Sequence, residues 1–531
     1  MSDVSDASGA DGATRRLAQV LARTSYDDLR AEVIEHARRA VTDWLGSAIA
    51  GSIEKPARLA QKVAAGLGAS SEATVFSAGR ASAPAAAFAN GVASHILELD
   101  DIHKGSTVHA AAPIVPAALA VAEREHANGG AFLTAVAIGY EAAFRIGEAV
   151  NPSHYYFFHP TGTVATFGAA AAAGSLMNLD PEQMVDALGT AGTQAAALWE
   201  FNADGAMSKH LHPGKAAMNG VLAADLARVG FTGATRILEG DRGFLRAFTR
   251  GPERSAPHVG ASAPHVGASA PHVEASVPLV GAPSPPYDLS RITDGLGTKW
   301  KIGENGYKLY SCCGHTHTAV DCALDIRSRA RWTREDVLRQ VAGITIETYG
   351  PGYEIVKEMN PKTSYQAKFS LAYCVSVALV EGALGLAQFS DERFSADGVR
   401  DPALAELLRR VRVTVADDLT AKYPSAWPVR LTVTCQAAGA NEGTMRGNVE
   451  RAASDYPRGN AENPVSTGEL EQKCFTLAAG RFGEDVARSV LAALRSLDRG
   501  ADMADLFGAL GRLKPAPTFA LKAAPTYEPT V

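Results

Sequence analysis

Apolar positions recur at helical spacing through most of this chain. Leu29, Val33, Ala37, Val41 and Leu45 form one stripe. The pattern predicts a helix starting near Ser25, where Asp28 completes a capping box, and ending over Gly46 to Gly51. Similar spacing predicts helices over 84–95, 113–125, 132–150, 169–177, 184–198 and 215–228, with Asn151-Pro152 and Gly230 as stops. No alternating run interrupts them, so residues 14–250 read as all-helical. Past residue 298 the period changes. Residues 341–349, 411–416 and 429–435 alternate apolar and polar, as half-buried strands do, around a strong helix over 367–386. Residues 298–450 therefore read as a compact α+β segment, and 470–479 and 483–497 return to helix.

Between these regions, residues 255–282 repeat a seven-residue unit, Ser-Ala-Pro-His-Val-Gly-Ala in its first copy. A proline in every unit forbids a coiled coil despite the heptad length. His258, His265 and His272 are evenly spaced, but a duplicated flexible linker explains that spacing without a metal. Residues 1–13 and 514–531 are small and polar or rich in Pro, Ala and Thr, and are expected to be disordered.

Length and charge narrow the classes of function. A chain of 531 residues is expected to form more than one domain. A net charge of −6 without a basic stripe excludes nucleic acid and anionic membranes as expected partners. No apolar run is long enough to span a bilayer, and the N-terminus lacks the pattern of a secretory signal. The six cysteines form no C-x-x-C pair, which fits reduced thiols and a cytoplasmic location.

Chemistry concentrates in two places. Glu98 to His109 holds three carboxylates, two imidazoles, a lysine and two hydroxyls between apolar helices. A second dense stretch carries Lys209, His210, His212 and Lys215. No P-loop, dinucleotide fingerprint, G-x-S-x-G elbow or H-E-x-x-H is present. His315 and His317 beside Cys312-Cys313 fit no zinc spacing, so no metal is expected. Scattered His, Lys, Asp, Glu and Tyr side chains are the parts of a cofactor-free proton-transfer site.

Several blocks resemble the MmgE/PrpD family. They are Asp100-Asp101 with His109 and Pro113, then His159-Pro160-Thr161-Gly162-Thr163, then Gly205 to Ala217 around Leu211-His212-Pro213-Gly214-Lys215. Ile237 to Gly240 with Gly243-Phe244, Tyr307 to Cys313 with His317, and Tyr456 to Gly459 with Asn463-Pro464 follow in order. The resemblance implies a mainly α protein: a large all-helical domain formed by both chain ends, plus a smaller inserted α+β lid domain. The corresponding boundaries are 14–254 and 451–513 for the helical domain, 255–290 for the linker and 291–450 for the lid. It also implies a homodimer and metal-free, cofactor-free catalysis on a small polycarboxylate.

Carried over residue by residue, the resemblance implies a site with His109, His159, Asp101 and Lys209 as catalytic residues. Glu98, Lys308, Cys313, His317 and His212 would contact substrate. His109 or His159 would move the proton, while Lys209 and Lys308 hold substrate carboxylates. His159 could instead cap the following helix; Lys215 is expected on an exposed helix face, and His103 and Lys104 toward solvent. Lys209 and His212 are expected in one short loop. In decarboxylase members a histidine follows the lid lysine by five positions, where this chain has Cys313. That departure argues against cis-aconitate decarboxylation. The expected reaction is dehydration of a 2-methylcitrate-like 2-hydroxy acid, with epimerisation of an iminodisuccinate-like dicarboxylate, or an inactive dimeric scaffold, as alternatives.

Overall fold

The computed structural model describes residues 12–249, 287–436, 448–497 and 502–515. The expectations for the chain ends beyond residues 12 and 515, and for the seven-residue repeat with His258, His265 and His272, lie outside the described residues. The fold is mainly α. Its helices include α1 (Ala13–Arg23), α2 (Ala31–Gly51), α3 (Lys55–Gly66), α4 (Ala83–His95), α5 (Ala111–Arg124), α6 (Gly129–Val150), α7 (Pro160–Leu176), α8 (Pro181–Gly192) and α9 (Ser208–Arg228). A hairpin of β1 (Ala73–Val75) and β2 (Gly79–Ala81) lies between α3 and α4. Three-residue strands are too short to show a period, which is why the sequence reads this region as all-helical.

Small residues set how these helices meet. A Cβ on Gly91 of α4 would lie 2.8 Å from the Gly214 Cα of α9, so the two backbones touch. That contact carries the start of α9 onto the end of α4, and with it Lys209, His210 and His212 toward His95. The sequence pattern starts this helix only at Lys215, but it begins at Ser208 and runs through Pro213. Proline near a helix start removes only one ladder bond, so the turns holding Lys209 and His212 are helical, not a loop.

A first hydrophobic core joins residues 13–302 with residues 474–510. The C-terminal contribution comes after the α+β region, which builds a separate core over residues 310–433. There α10 (His317–Ala330), α11 (Arg334–Gln340) and α12 (Leu371–Glu381) accompany a four-stranded sheet. The sheet is made of β3 (Val341–Thr348), β4 (Val411–Val415), β5 (Val429–Cys435) and β6 (Val449–Ser454), ordered β4-β3-β5-β6. β3 runs parallel to β4, with Ile344 opposite Val411, and antiparallel to β5, with Ile346 opposite Leu431. The polar edge strand β6 has too weak an alternation to be read from sequence. The helix expected over 367–386 breaks at Phe369-Ser370, because the Ser370 hydroxyl accepts from the Tyr373 N–H and caps α12.

The chain then returns as α13 (Thr467–Phe482) and α14 (Glu484–Arg495). Gly46 of α2 lets α13 approach, since a Cβ there would lie 2.7 Å from the Cys474 Cα. Gly46 is thus a packing glycine inside a continuous helix. The Ser25–Asp28 capping box is real, but it closes one 3-10 turn, and α2 starts at Ala31.

Candidate active site

The loop joining α4 to α5 carries the acidic stretch. Glu98 sits at φ 56, in the left-handed region that non-glycine residues rarely occupy. Both its carboxylate oxygens are taken: Oε1 accepts from Lys209, and Oε2 lies 3.2 Å from Lys308 Nζ. Lys308 also stands 3.2 Å from Asp100 Oδ1. Burial would raise both carboxyls. The neighbouring groups overcome it, chiefly Lys209 and Lys308 at Glu98 and the His95 contact together with Lys308 at Asp100, and hold both well below the ordinary range. Burial would likewise lower Lys308, but Asp100 and Glu98 raise it above its usual value.

Three imidazoles gather beside this ion cluster. His95, at the end of α4, lies with Nδ1 2.6 Å from Asp100 Oδ2. His109 Nδ1 donates to the Asp101 carbonyl at 2.6 Å. Because a carbonyl only accepts, that bond fixes the His109 tautomer and leaves Nε2 unprotonated. His159 precedes α7 with Nδ1 3.1 Å from His212 Nδ1, and its side chain makes no cap bond to that helix. The Nε2 atoms of His95 and His159 are buried without hydrogen-bond partners. The ring centres stand 4.8 Å (His95–His109), 5.5 Å (His95–His159) and 5.9 Å (His109–His159) apart. Burial, reinforced by the adjoining His212 and His95 rings and by Lys209, keeps His159 well below its usual value. It does the same for His109 against the pull of Asp100, and holds His210 and His212 at about 3. The cluster is therefore neutral at physiological pH at these four rings.

Most of the residues expected from sequence meet here, but they are used differently. The Asp101 carboxylate is committed to the Tyr140 hydroxyl at 2.6 Å and to the Ala111 N–H at the start of α5, 3.0 Å away. Burial pushes it up to about 7. Asp101 thus anchors the loop, and its carbonyl aims His109. Cys313 lies within the field of Lys209, Glu98 and Lys308, and burial raises its thiol to about 12. His317 is not brought into the cluster: its Nε2 faces the Cys312 carbonyl at 3.3 Å, and its ring packs on Tyr310.

Three other expectations are corrected. His103 is buried, stacked on Phe144 at 4.0 Å with Nδ1 against Ser106 Oγ. Lys104 is only partly exposed and pairs with Glu462. The Lys215 ammonium, far from exposed, donates to the carbonyls of Gly162, Gln194 and Ala196.

The sequence reading missed four contributors. His95 ends an apolar helix five residues before its partner Asp100, a spacing that could have flagged it. Lys368 reaches the Ile96 and Leu97 carbonyls at 3.4 and 3.3 Å, and burial lowers it to about 8. Ser311 Oγ donates to the Leu97 carbonyl. Lys473 of α13 binds Asp43 Oδ1 at 2.6 Å, the Leu99 carbonyl at 2.5 Å and the Lys308 carbonyl at 2.8 Å. Lys368 and Lys473 carry no local signal, because their partners lie hundreds of residues away.

Comparison with known proteins agrees along the chain. The MmgE/PrpD N-terminal domain model matches residues 15–256, and the MmgE/PrpD C-terminal domain model matches residues 310–499. Cis-aconitate decarboxylase of Aspergillus terreus is 26% identical over 517 residues, covering 94% of this chain and 96% of that protein. The cis-aconitate decarboxylase-like protein oryM of Aspergillus oryzae is 25% identical, covering 95% and 98%. Human cis-aconitate decarboxylase is 23% identical over 481 residues, covering 88% of each chain.

Proposed function

The chain belongs to the MmgE/PrpD family, and from that premise we propose that it is a cofactor-free lyase acting on a small polycarboxylate. The observation that carries this reading is the set of buried imidazoles with open Nε2 atoms beside Lys209, Lys308 and Lys368. Lysines of this kind hold substrate carboxylates and the negative charge that develops when the α-carbon loses its proton. His109 takes that proton on Nε2, the tautomer that the Asp101 carbonyl enforces. His159, with His212 behind it, then receives that proton on its own Nε2 and passes it to the departing hydroxyl, so that water leaves and both rings return to the neutral form. Glu98 pairs with Lys209 and Lys308 until substrate arrives.

The reaction proposed is dehydration of a 2-methylcitrate-like 2-hydroxy acid. Cys313 supports it, since a thiol held at about 12 is a poor proton donor at the position where decarboxylase members carry histidine. The second reading is decarboxylation of cis-aconitate, which the names of the A. terreus and human relatives favour. Every group named is buried, so we further propose that the α+β unit moves as a lid on its own core and closes over bound substrate, in a cytoplasmic homodimer.

The test is incubation of the EDTA-treated protein with 2-methylcitrate, citrate, cis-aconitate and iminodisuccinate in deuterated water, followed by NMR. Loss of water from a hydroxy acid is expected. Loss of CO2 from cis-aconitate would transfer the assignment to the second reading, and deuterium uptake without net elimination would make the protein an epimerase. No turnover of any of them would refute the lyase. His159→Gln is expected to cost a hundredfold or more in rate.

A further inference from the structure

We propose that His95, His109 and His159 form a binding site for a borderline divalent cation of the zinc type, and that such an ion, once bound, silences the proton-transfer chemistry. The binding stands on geometry alone; the silencing rests on the function proposed above. A ring nitrogen from each of the three residues lies within 4.8 Å of the other two. A tetrahedral ion with metal–nitrogen bonds of ~2.0–2.1 Å places its nitrogens about 3.4 Å apart and the centres of three imidazoles about 5 Å apart. The observed centres, 4.8, 5.5 and 5.9 Å apart, bracket that value. An inward shift of about 1 Å completes the site.

What lies behind the rings strengthens the case. Zinc-bound histidines almost always engage their second nitrogen with a carboxylate, a carbonyl or water. Here His95 Nδ1 meets the Asp100 carboxylate at 2.6 Å and His109 Nδ1 meets the Asp101 carbonyl at 2.6 Å. His159 Nδ1 meets His212 at 3.1 Å, a pair in which either ring can donate. With Nδ1–H turned to His212, all three Nε2 lone pairs are free. Two of those atoms, on His95 and His159, are buried with no partner, which polar atoms normally avoid. Asp100 and Glu98 offset the repulsion that Lys209 and Lys308 exert on a dication. The other cluster of suitable side chains among the described residues, His103 with Glu148 and Glu304, is already bridged by Lys301, at 3.0 and 3.1 Å from the two carboxylates.

An ion held by the three Nε2 atoms occupies the lone pairs that would carry the proton, so binding and catalysis exclude one another. The test uses the full chain after EDTA treatment, with His258, His265 and His272 replaced by glutamine so that the repeat adds no background. Titration with Zn2+ alone by calorimetry is expected to show one ion per chain. Co2+ alone is expected to give the intense visible bands of a tetrahedral site. His95→Gln is expected to weaken Zn2+ binding at least tenfold and to abolish the bands. Absence of binding, the weak bands of an octahedral ion, or unchanged binding in H95Q would overturn the site; the Co2+ spectrum decides this even if H95Q does not fold. If the ion binds tetrahedrally and turnover of the substrate identified above is unaffected, the silencing is wrong and the site remains.

Discussion

Lys473 is the sharpest single test of how the site is held. Its ammonium is buried and donates to the Asp43 carboxylate and to the carbonyls of Leu99 and Lys308. Those two carbonyls belong to the acidic loop and to the segment carrying Lys308, so one side chain sets the spacing between them. Lys473→Met keeps most of the volume and removes the charge. Breaking a buried pair by removing one partner costs about 3–5 kcal/mol, because the other charge stays buried alone. Asp43 is already raised by burial despite Lys473, so in K473M it takes up a proton and part of that cost is recovered. A loss of about 2–4 kcal/mol is therefore expected. The pairing is measured by a double-mutant cycle with Asp43→Asn, following urea unfolding by tryptophan fluorescence. Asp43→Asn/Lys473→Met should be less destabilised than the sum of the two single variants. Turnover should fall in K473M through a raised KM, as Lys308 loses its position. Loss of under 1 kcal/mol with an unchanged KM would refute the reasoning.

Gly91→Ala places a methyl 2.8 Å from the Gly214 Cα, so α4 and α9 must separate; destabilisation of about 2–4 kcal/mol is expected in thermal unfolding, and a wild-type melting temperature would show that the crossing yields freely. Lys215→Met leaves the carbonyls of Gly162, Gln194 and Ala196 without their donor and is expected to cost about 1–3 kcal/mol, with a fall in turnover because Gly162 lies three residues past His159; unchanged urea unfolding would remove Lys215 from the frame. Glu123, buried against Thr74 and Arg80, is pushed up to about 7 by burial. A carboxyl raised in the folded state supports stability fully below its ordinary 4.5 and loses that support as pH rises toward 7, by up to about 3 kcal/mol. Glu123→Gln should flatten this slope in melts taken from pH 5 to 8, and parallel curves would exclude it.

The sequence reveals elements where a long period has one cause. The strands β3, β4 and β5 follow their alternation because one face of each meets one core, while α6 and the second half of α2 carry apolar residues all round because they are buried on every side. It misleads where a single side chain or a short span overrides the period. Ser370 breaks a helix that its apolar residues would continue, and Ser208 to Gly214 are helical because α4 lies close beside them. The same division holds at the site. His109, His159, Lys209, Lys308 and Glu98 come together as the motifs imply. Asp101 has the right neighbourhood but a different task, because its carboxylate is consumed by Tyr140 and the start of α5. Lys368 and Lys473 act across the fold, on partners that a linear pattern does not pair.

The Lys473 contact also makes the order of synthesis matter. Leu99 and Lys473 lie 374 residues apart in the chain. At ~5–20 residues per second, a ribosome adds that length in roughly 20 to 75 s. Over that interval the acidic loop gains Lys209 first and Lys308 next, and waits longest for Lys473. The N-terminal half of the molecule can therefore collapse early but cannot finish, and a chain cut short before α13 would present its charged loop to solvent as a handle for quality control.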